Sequence, residues 1–372
     1  MRRPQLATHF IRVVAVPLLL AGAAAGAAPA MAAAQSGPPG PAASFTVGGI
    51  LQGVSATSAS NAWAVGTTAP GKGKTLIARW NGTAWTRVSS PAPGSVSGLD
   101  GVAAGSTGSA WAVGSTGNGL GSVETLNLRW TGTAWRQAAS PNPLGSPLAG
   151  VAAISANSAW AVGCAGCEGG PNKVLIERWN GSAWVQVPSP APAGSYLSGA
   201  AATSAGNAWA VGYTFASTTI KTLIMRWNGT GWKQVPSPTP AGGGQLFGVS
   251  AVSASSAWAV GCTNKCTRTL IERWNGKAWT QVSSPGPAGG TLTGVAAVSA
   301  GTAWAVGNVG GAQTLIERWN GTGWTRVSSP NPAGGSALIG VAATSATNAW
   351  AVGCTGNCAK TLILHWNGTA WK

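Results

Sequence analysis

The chain has 372 residues, 45% of them hydrophobic and only 8% charged, and its 22 Lys and Arg against 6 Asp and Glu give a formal charge of +16. Six carboxylates over that length leave little for acid–base chemistry, whereas the cationic surplus favours anionic partners on electrostatic grounds. With no basic helix and no recognisable binding motif, nucleic acid is not an expected partner.

Residues 1–34 read as a signal peptide. Arg2, Arg3 and Arg12 flank or precede an apolar run from Val13 to about Ala28, and Ala32-Ala33-Ala34 before Gln35 offers a small-residue cleavage site. The run is short and rich in Ala and Gly, where a bilayer span needs roughly 20 apolar residues. No membrane span is therefore expected, and the protein is expected to be secreted, extracellular or cell-wall associated. Pro4 and Gln5 after the Arg pair point to ordinary rather than twin-arginine export. Losing this leader removes three cations and leaves +13. Residues 35–49 form a Pro/Gly-rich N-terminal segment.

From residue 50 onward the chain repeats. Ala-Trp-Ala-Val-Gly occurs seven times, with Trp63, Trp111, Trp160, Trp209, Trp258, Trp304 and Trp350 at its centre. An Arg/His-Trp step follows each (Trp80 to Trp366), then another Trp five residues on (Trp85 to Trp371), which accounts for all 21 tryptophans. A period of 46 to 49 residues belongs to solenoids, arrays or propellers. Within one period, Leu292–Ala300, Ala303–Gly307, Thr314–Trp319 and Gly323–Ser328 are short, apolar or alternating, and bounded by turn residues, which predicts four strands. Asn320-Gly321, repeated at 81, 180, 228, 275 and 367 with Thr131-Gly132 in the second repeat, predicts a two-residue type I′ hairpin. That register sets Trp319 against Thr322 and Trp324 against Glu317, a diagonal tryptophan pair on one face. Such a face is buried only against a neighbouring sheet, so the expected fold is all-β, a seven-bladed β-propeller of four-stranded antiparallel blades. The blades fall at about residues 50–93, 98–143, 148–192, 197–240, 246–287, 292–332 and 338–372. Ser-Pro-x-Pro segments end the outer strands, because proline cannot continue a ladder. Phe45-Thr46-Val47 is expected to supply or extend the outer strand of the last blade.

Ser-Ala-x-x-Ala-Trp-Ala-Val-Gly, Thr-Leu-Ile-Glu-Arg-Trp-Asn-Gly-Thr-x-Trp and Pro-Ser-Pro-x-Pro together resemble secreted seven-repeat β-propeller proteins of high-GC, actinobacterial-type bacteria, loosely kelch-like and Asp-box-like. The resemblance spans residues 50–372 and implies a fold and an export route, but no activity. The Asn-Gly-Thr-x-Trp step looks like a degenerate Asp-box whose aspartate is missing from every repeat, so sialidase chemistry does not carry over.

Strand parity puts the 1–2 and 3–4 turns at one end of each blade, and the 2–3 hairpins and crossovers at the other. The second end varies, with 2–3 loops of six to ten residues, and variable loops on a rigid scaffold are where binding usually resides. Lys72, Lys74, Lys173, Lys221, Lys265, Arg268 and Lys360 fall there and make that face basic, suited to an anionic polysaccharide or a surface protein by multivalent contact. Tyr196, Tyr213, Phe215 and Phe247 are non-repeated aromatics on or near the same end and join the candidate ligand-binding set. The six cysteines form three close pairs, Cys164/Cys167, Cys262/Cys266 and Cys354/Cys358, which outside the cell read as disulfides. A zinc site would need four ligands at about 2.3 Å from one ion, and after leader removal only His365 remains among histidines, so no metal or cofactor is expected. The tryptophans repeat too regularly to be a sugar platform and are expected in the core, with Arg79, Arg129, Arg178, Arg226, Arg273 and Arg318 stacked on neighbouring aromatics.

The expected function is therefore non-catalytic binding by a monomer. A rival hydrolase or lyase reading rests on Asp100, Glu124 and Glu168, which map to the variable end of blades 2 and 3, since glycoside hydrolysis needs two carboxylates at a set separation. Glu177, Glu272 and Glu317 share one repeat position and are spread round the ring; His365 stands where other repeats have arginine, a packing position. A structural envelope scaffold is the third reading.

Overall fold

The computed structural model describes residues 45–68, 73–106, 108–117, 123–143, 145–167, 172–216, 219–263 and 265–372. The signal-peptide segment, the first part of the Pro/Gly-rich segment, Lys72 and Glu168 lie outside the described residues. Among the described residues all regular structure is β: 27 strands in seven antiparallel sheets, each ordered as in sequence. In blade 1 the inner strand is Ile50–Ser58, the second Asn61–Thr67, the third Thr75–Trp80 and the outer strand Trp85–Val88. The second strand, which holds Ala-Trp-Ala-Val-Gly, is buried on both faces, because a mid-sheet strand of a radial blade is covered by a neighbour on each side. That explains its unbroken apolar run, where a half-exposed strand would alternate.

The blades are joined by tryptophan. The second-strand Trp of each blade meets the third- and outer-strand Trp of the next. Trp63 lies 4.8 Å from Trp130 and 5.1 Å from Trp135, and Trp209 lies 5.0 Å from Trp274 and 5.1 Å from Trp279. Trp350 of blade 7 stands against Trp80 and Trp85 of blade 1 at 4.8 and 5.2 Å, which closes the circle. The tilted and edge-on geometry is the one that ring quadrupoles favour. All seven second-strand tryptophans are at most 2% exposed. Arginine seals six of the seven triads: Arg79 stacks 5.0 Å from Trp63 and 5.6 Å from Trp130, and Arg226 lies 4.9 Å from Trp209 and 5.3 Å from Trp274. In blade 7, His365 takes this place, stacked 4.1 Å over Trp350 and hydrogen-bonded through Nε2 to Asn348 Oδ1 at 2.8 Å.

The expected two-residue hairpin is corrected. Trp319 pairs directly with Trp324, and Trp80 with Trp85, so the connection holds four residues. In it Asn320 Oδ1 accepts from the backbone N–H of Thr322 and Gly323 and from the Thr322 hydroxyl, while Asn320 N–H donates to Gly323 O at 3.2 Å. The asparagine side chain builds an Asx-type turn, with Gly321 at φ 100°. The tryptophans thus face each other across the rung rather than diagonally.

The outer edge of blade 7 is filled by two segments. Lys372 exchanges backbone hydrogen bonds with His365 at 3.0 and 2.8 Å. Further up the same third strand, Thr361 N–H donates to Val47 O at 2.9 Å and Val47 N–H to Thr361 Oγ1 at 3.0 Å.

Each inner strand carries a bulge near its start. Leu51 pairs with Gly66 and Gly53 with Val65, so Gln52 is the extra residue. The same skip passes over Asp100, Ala149, Ser198, Phe247, Thr293 and Ile339. The glycine after each bulge packs on the next blade: a Cβ on Gly53 would stand 3.1 Å from Asp100 O, one on Gly199 2.8 Å from Phe247 O, and one on Gly340 2.9 Å from Gln52 O. Side-chain-free residues are required there because backbones meet round the axis.

Candidate binding face

On the face of 2–3 hairpins and crossovers, four of the described cations, Lys173, Lys221, Arg268 and Lys360, stand on third strands. Blades 1 and 3 keep connections within the expected six to ten residues, with seven between Thr67 and Thr75 and seven between Ala165 and Lys173, whereas the others are shorter: in blade 4 the second strand ends at Ala216 and the third begins at Thr219, and in blade 5 they meet between Thr263 and Arg268. In blades 4 and 5 the ladder continues past the sequence signals that suggested longer loops. As a result the cations fall on a common rung. Lys74, Lys173, Lys221, Arg268 and Lys360 each precede the residue paired with Thr67, Cys164, Tyr213, Cys262 or Cys354 on the second strand. Glu124 holds that rung in blade 2 and Gln313 in blade 6. All seven residues are exposed. Lys74 Nζ also donates to Gly94 O in the crossover at 2.9 Å. The structure therefore brings five of the predicted cations into one circlet, and Lys265 joins the same face from a loop.

That loop is one of three closed by disulfides, Cys164–Cys167, Cys262–Cys266 and Cys354–Cys358, with Cα separations of 6.0, 4.7 and 4.7 Å. In each pair the first cysteine is buried on the second strand, so the bond ties the loop to the rigid part of the blade. Lys265 and Cys266 hold φ near 60°, as do Asn357 and Cys358, a left-handed backbone that only a constrained turn keeps in non-glycine residues.

The aromatic candidates separate into two places. Tyr196 and Tyr213 stack at 5.3 Å, and Phe215 stands edge-on to both at 5.8 and 5.5 Å. Phe215 is 46% exposed, on the hairpin that carries Lys221. Phe247 is not part of this cluster, because it sits on the axial bulge of blade 5.

Of the carboxylates of the rival catalytic reading, the two described ones, Asp100 and Glu124, do not converge. Asp100 is on an inner strand and Glu124 on a third strand, two strand spacings apart, or about 10 Å. Asp100 accepts a hydrogen bond from Gln52 Nε2 at 2.8 Å, and loss of hydration raises its carboxyl to about 7. Glu177, Glu272 and Glu317 are fully buried between blades, where desolvation pushes them to about 7, about 8 and about 7. Asn127 donates to Glu177 and Ser284 to Glu317, whereas neither Glu272 oxygen has a hydrogen-bond partner among the described residues. Burial of these three was not evident from their charge, and their place before Arg-Trp on a strand covered on both faces was the available signal. Among the described residues no three His, Cys, Asp or Glu side chains gather as metal ligands, and no helix is long and apolar enough to cross a membrane.

No protein-family profile matches the chain, and no curated protein sequence matches it. Solved structures do. YCF48 bound to D1 peptide matches with a TM-score of 0.56 at 14% identity, covering 86% of this chain and 93% of that one. The Hadza microbial sialidase Hz136 gives 0.51 at 12%, covering 71% and 64%. A mutant Aleuria aurantia lectin in complex with Fucα1-6GlcNAc gives 0.50 at 13%, covering 73% and 93%. At these identities the likeness is one of fold, and the fold is the β-propeller.

Proposed function

We propose that the protein is a secreted, non-catalytic binding module whose basic face engages an anionic cell-wall or extracellular polymer. The observation that carries this reading is the circlet of Lys74, Lys173, Lys221, Arg268 and Lys360 on one rung of five blades. Equivalent positions on a rigid ring hold cations at fixed spacing, so a repeating polyanion meets several at once and gains by multivalency rather than by any single contact. Disulfides in three loops of the same face fit an extracellular setting. The separation of Asp100 from Glu124 weighs against the glycan-cleaving alternative.

A surface protein is the second reading, favoured by exposed Phe215 on its tyrosine stack beside Lys221; apolar anchors ringed by charge are typical of protein interfaces. Binding of purified residues 35–372 to isolated cell wall, and to acidic and neutral polysaccharides at low and moderate salt, tests the first reading. Retention on acidic polymers that weakens with salt is expected. Failure to bind any of them, with capture of a surface protein lost on Phe215→Ala, would replace it by the second.

A further inference from the structure

In blades 3, 4 and 5 the third and outer strands divide their chemistry in one way. The third strand carries the cation (Lys173, Lys221, Arg268), and the third residue of the outer strand is an amide (Gln186, Gln234, Gln281). Blade 6 exchanges them. Gln313 takes the rung of the cations, and Arg326 takes the outer-strand place. The crossover differs as well, because Asn331 stands between the prolines where blades 1, 3, 4 and 5 have Ala92, Ala191, Thr239 and Gly286. Blade 2 shares the asparagine, Asn142, but combines it with Glu124 and Gln137. Of these six blades, only blade 6 joins an arginine to two carboxamides at this corner.

The exchange coincides with a cavity of about 400 Å³, whose lining includes Gln313, Arg326, Val327, Ser328 and Asn331. Thr314 and Ser329, which also line it, join the two strands there by a 2.8 Å hydrogen bond between hydroxyls. Asn331 Oδ1 accepts from Thr314 N–H at 3.1 Å, which fixes the asparagine and leaves its own amide donors unused. Gln313, Arg326, Ser328 and Asn331 are all exposed. Apart from that one bond to Asn331, their side chains make no hydrogen bond or ion pair among the described residues. Glu317, the ladder partner of Arg326, is fully buried and accepts from Ser284 Oγ of blade 5 at 3.0 and 2.9 Å. Arg326 is thus the one charged residue in the lining.

A planar guanidinium presents paired N–H donors that suit an acid group by two parallel bonds. Size and polarity decide what carries the acid. The cavity is within the range of small-molecule sites and far larger than the roughly 30 Å³ share of one water, so the acid belongs to a larger molecule. Val327 is the one apolar side chain in the lining, which offers little to a lipid or an aromatic ring. Two carboxamides and a hydroxyl, each able to donate and accept, match neighbouring hydroxyls instead. A hexuronate carries its carboxylate and its hydroxyls on one pyranose ring.

We infer that this corner of blade 6 binds a hexuronate ring, with Arg326 holding the carboxylate and Gln313, Ser328 and Asn331 the ring hydroxyls. The inference deepens the polyanion reading on which it rests: the circlet attracts the chain of charges, and the cavity recognises the acidic unit. The probes are free D-glucuronate and D-galacturonate, titrated into residues 35–372 at moderate salt and followed by saturation-transfer NMR, with D-glucose as a contrast and inorganic phosphate as a competitor. At least one uronate binds saturably, about tenfold or more tighter than glucose. Arg326→Gln weakens it about tenfold or more, and glutamine is the residue that blades 2 to 5 carry at that place, so the variant keeps the urea midpoint of the parent. Arg326→Lys, which keeps the charge and loses the fork, recovers only part of the affinity. Arg87→Gln, the same loss at the matching place in blade 1, leaves uronate binding unchanged. No saturable uronate binding overturns the inference, as does equal binding of glucose, full displacement by equimolar phosphate, or indifference to Arg326→Gln. Salt-dependent retention of an acidic polymer without any uronate binding strikes the cavity and spares the circlet; uronate binding without polymer retention upholds the cavity and strikes the circlet.

Discussion

Two parts of the molecule are written seven times over, the tryptophan belt between blades and the bulge circlet round the axis, and only the first is written identically. At the belt a side chain fills a space bounded by two blades and, in six of the seven, an arginine, so every blade needs the same residue. At the axis the backbone meets backbone through glycine, and among the bulge residues Gln52, Thr293 and Ile339 line the axial cavity. Repetition therefore marks where packing decides the residue, and divergence marks where it does not.

The sharpest break of that contrast is Trp209→Ala, which empties a fully buried site between Trp274, Trp279 and Arg226. A loss of about 3–5 kcal/mol is expected, read as a lower urea midpoint; a change under about 1 kcal/mol would mean the blades are held by something else.

The buried glutamates give the next effect, and its sign is opposite to the common carboxylate case. Glu272 keeps its proton in the fold up to about pH 8 but releases it above about 4.5 when unfolded. Its contribution is therefore fully present below about pH 4.5 and declines as pH rises to about 8, with Glu177 and Glu317 adding the same slope up to about 7. Glu272→Gln should raise stability at pH 8 by about 1–3 kcal/mol and flatten its fall between pH 5 and 8. A wild-type midpoint that rises over this range would refute the assignment.

Reducing the three disulfides comes third. Each closes a loop of only a few residues, so loop entropy allows at most about 2 kcal/mol apiece, and the ring should stay folded. Exchange of amide protons should quicken in the loops containing Lys265 and Asn357 before the strands; cooperative unfolding on reduction would show that the loops hold the blades. The smallest effect belongs to the axis, where Ala149→Ser should shift stability by no more than about 0.5 kcal/mol, measured by the same urea titration.

Blade number, strand count and the burial of tryptophan were legible because Ala-Trp-Ala-Val-Gly and Arg-Trp-Asn-Gly repeat with turn residues between them. The hairpin register was not: Asn-Gly serves both a two-residue turn and the longer one in which Asn320 caps Thr322 and Gly323, and only the ladder distinguishes them. Lys173 and Arg268 looked like loop residues because strand extension depends on pairing partners far along the chain. Rarity alone groups Phe247 with Tyr196, whereas the signal that separates it lies in Leu246-Phe247-Gly248, a step of the repeat whose middle residue never recurs.

The most direct test of the basic face is the salt dependence of binding to an acidic wall polymer, compared between the wild-type chain and a Lys173→Gln, Lys221→Gln, Arg268→Gln variant. A circlet acting as a unit predicts tight binding that weakens steeply with salt in the wild type, and a weaker, flatter dependence in the variant. Equal affinity and equal slope for the two proteins would contradict it.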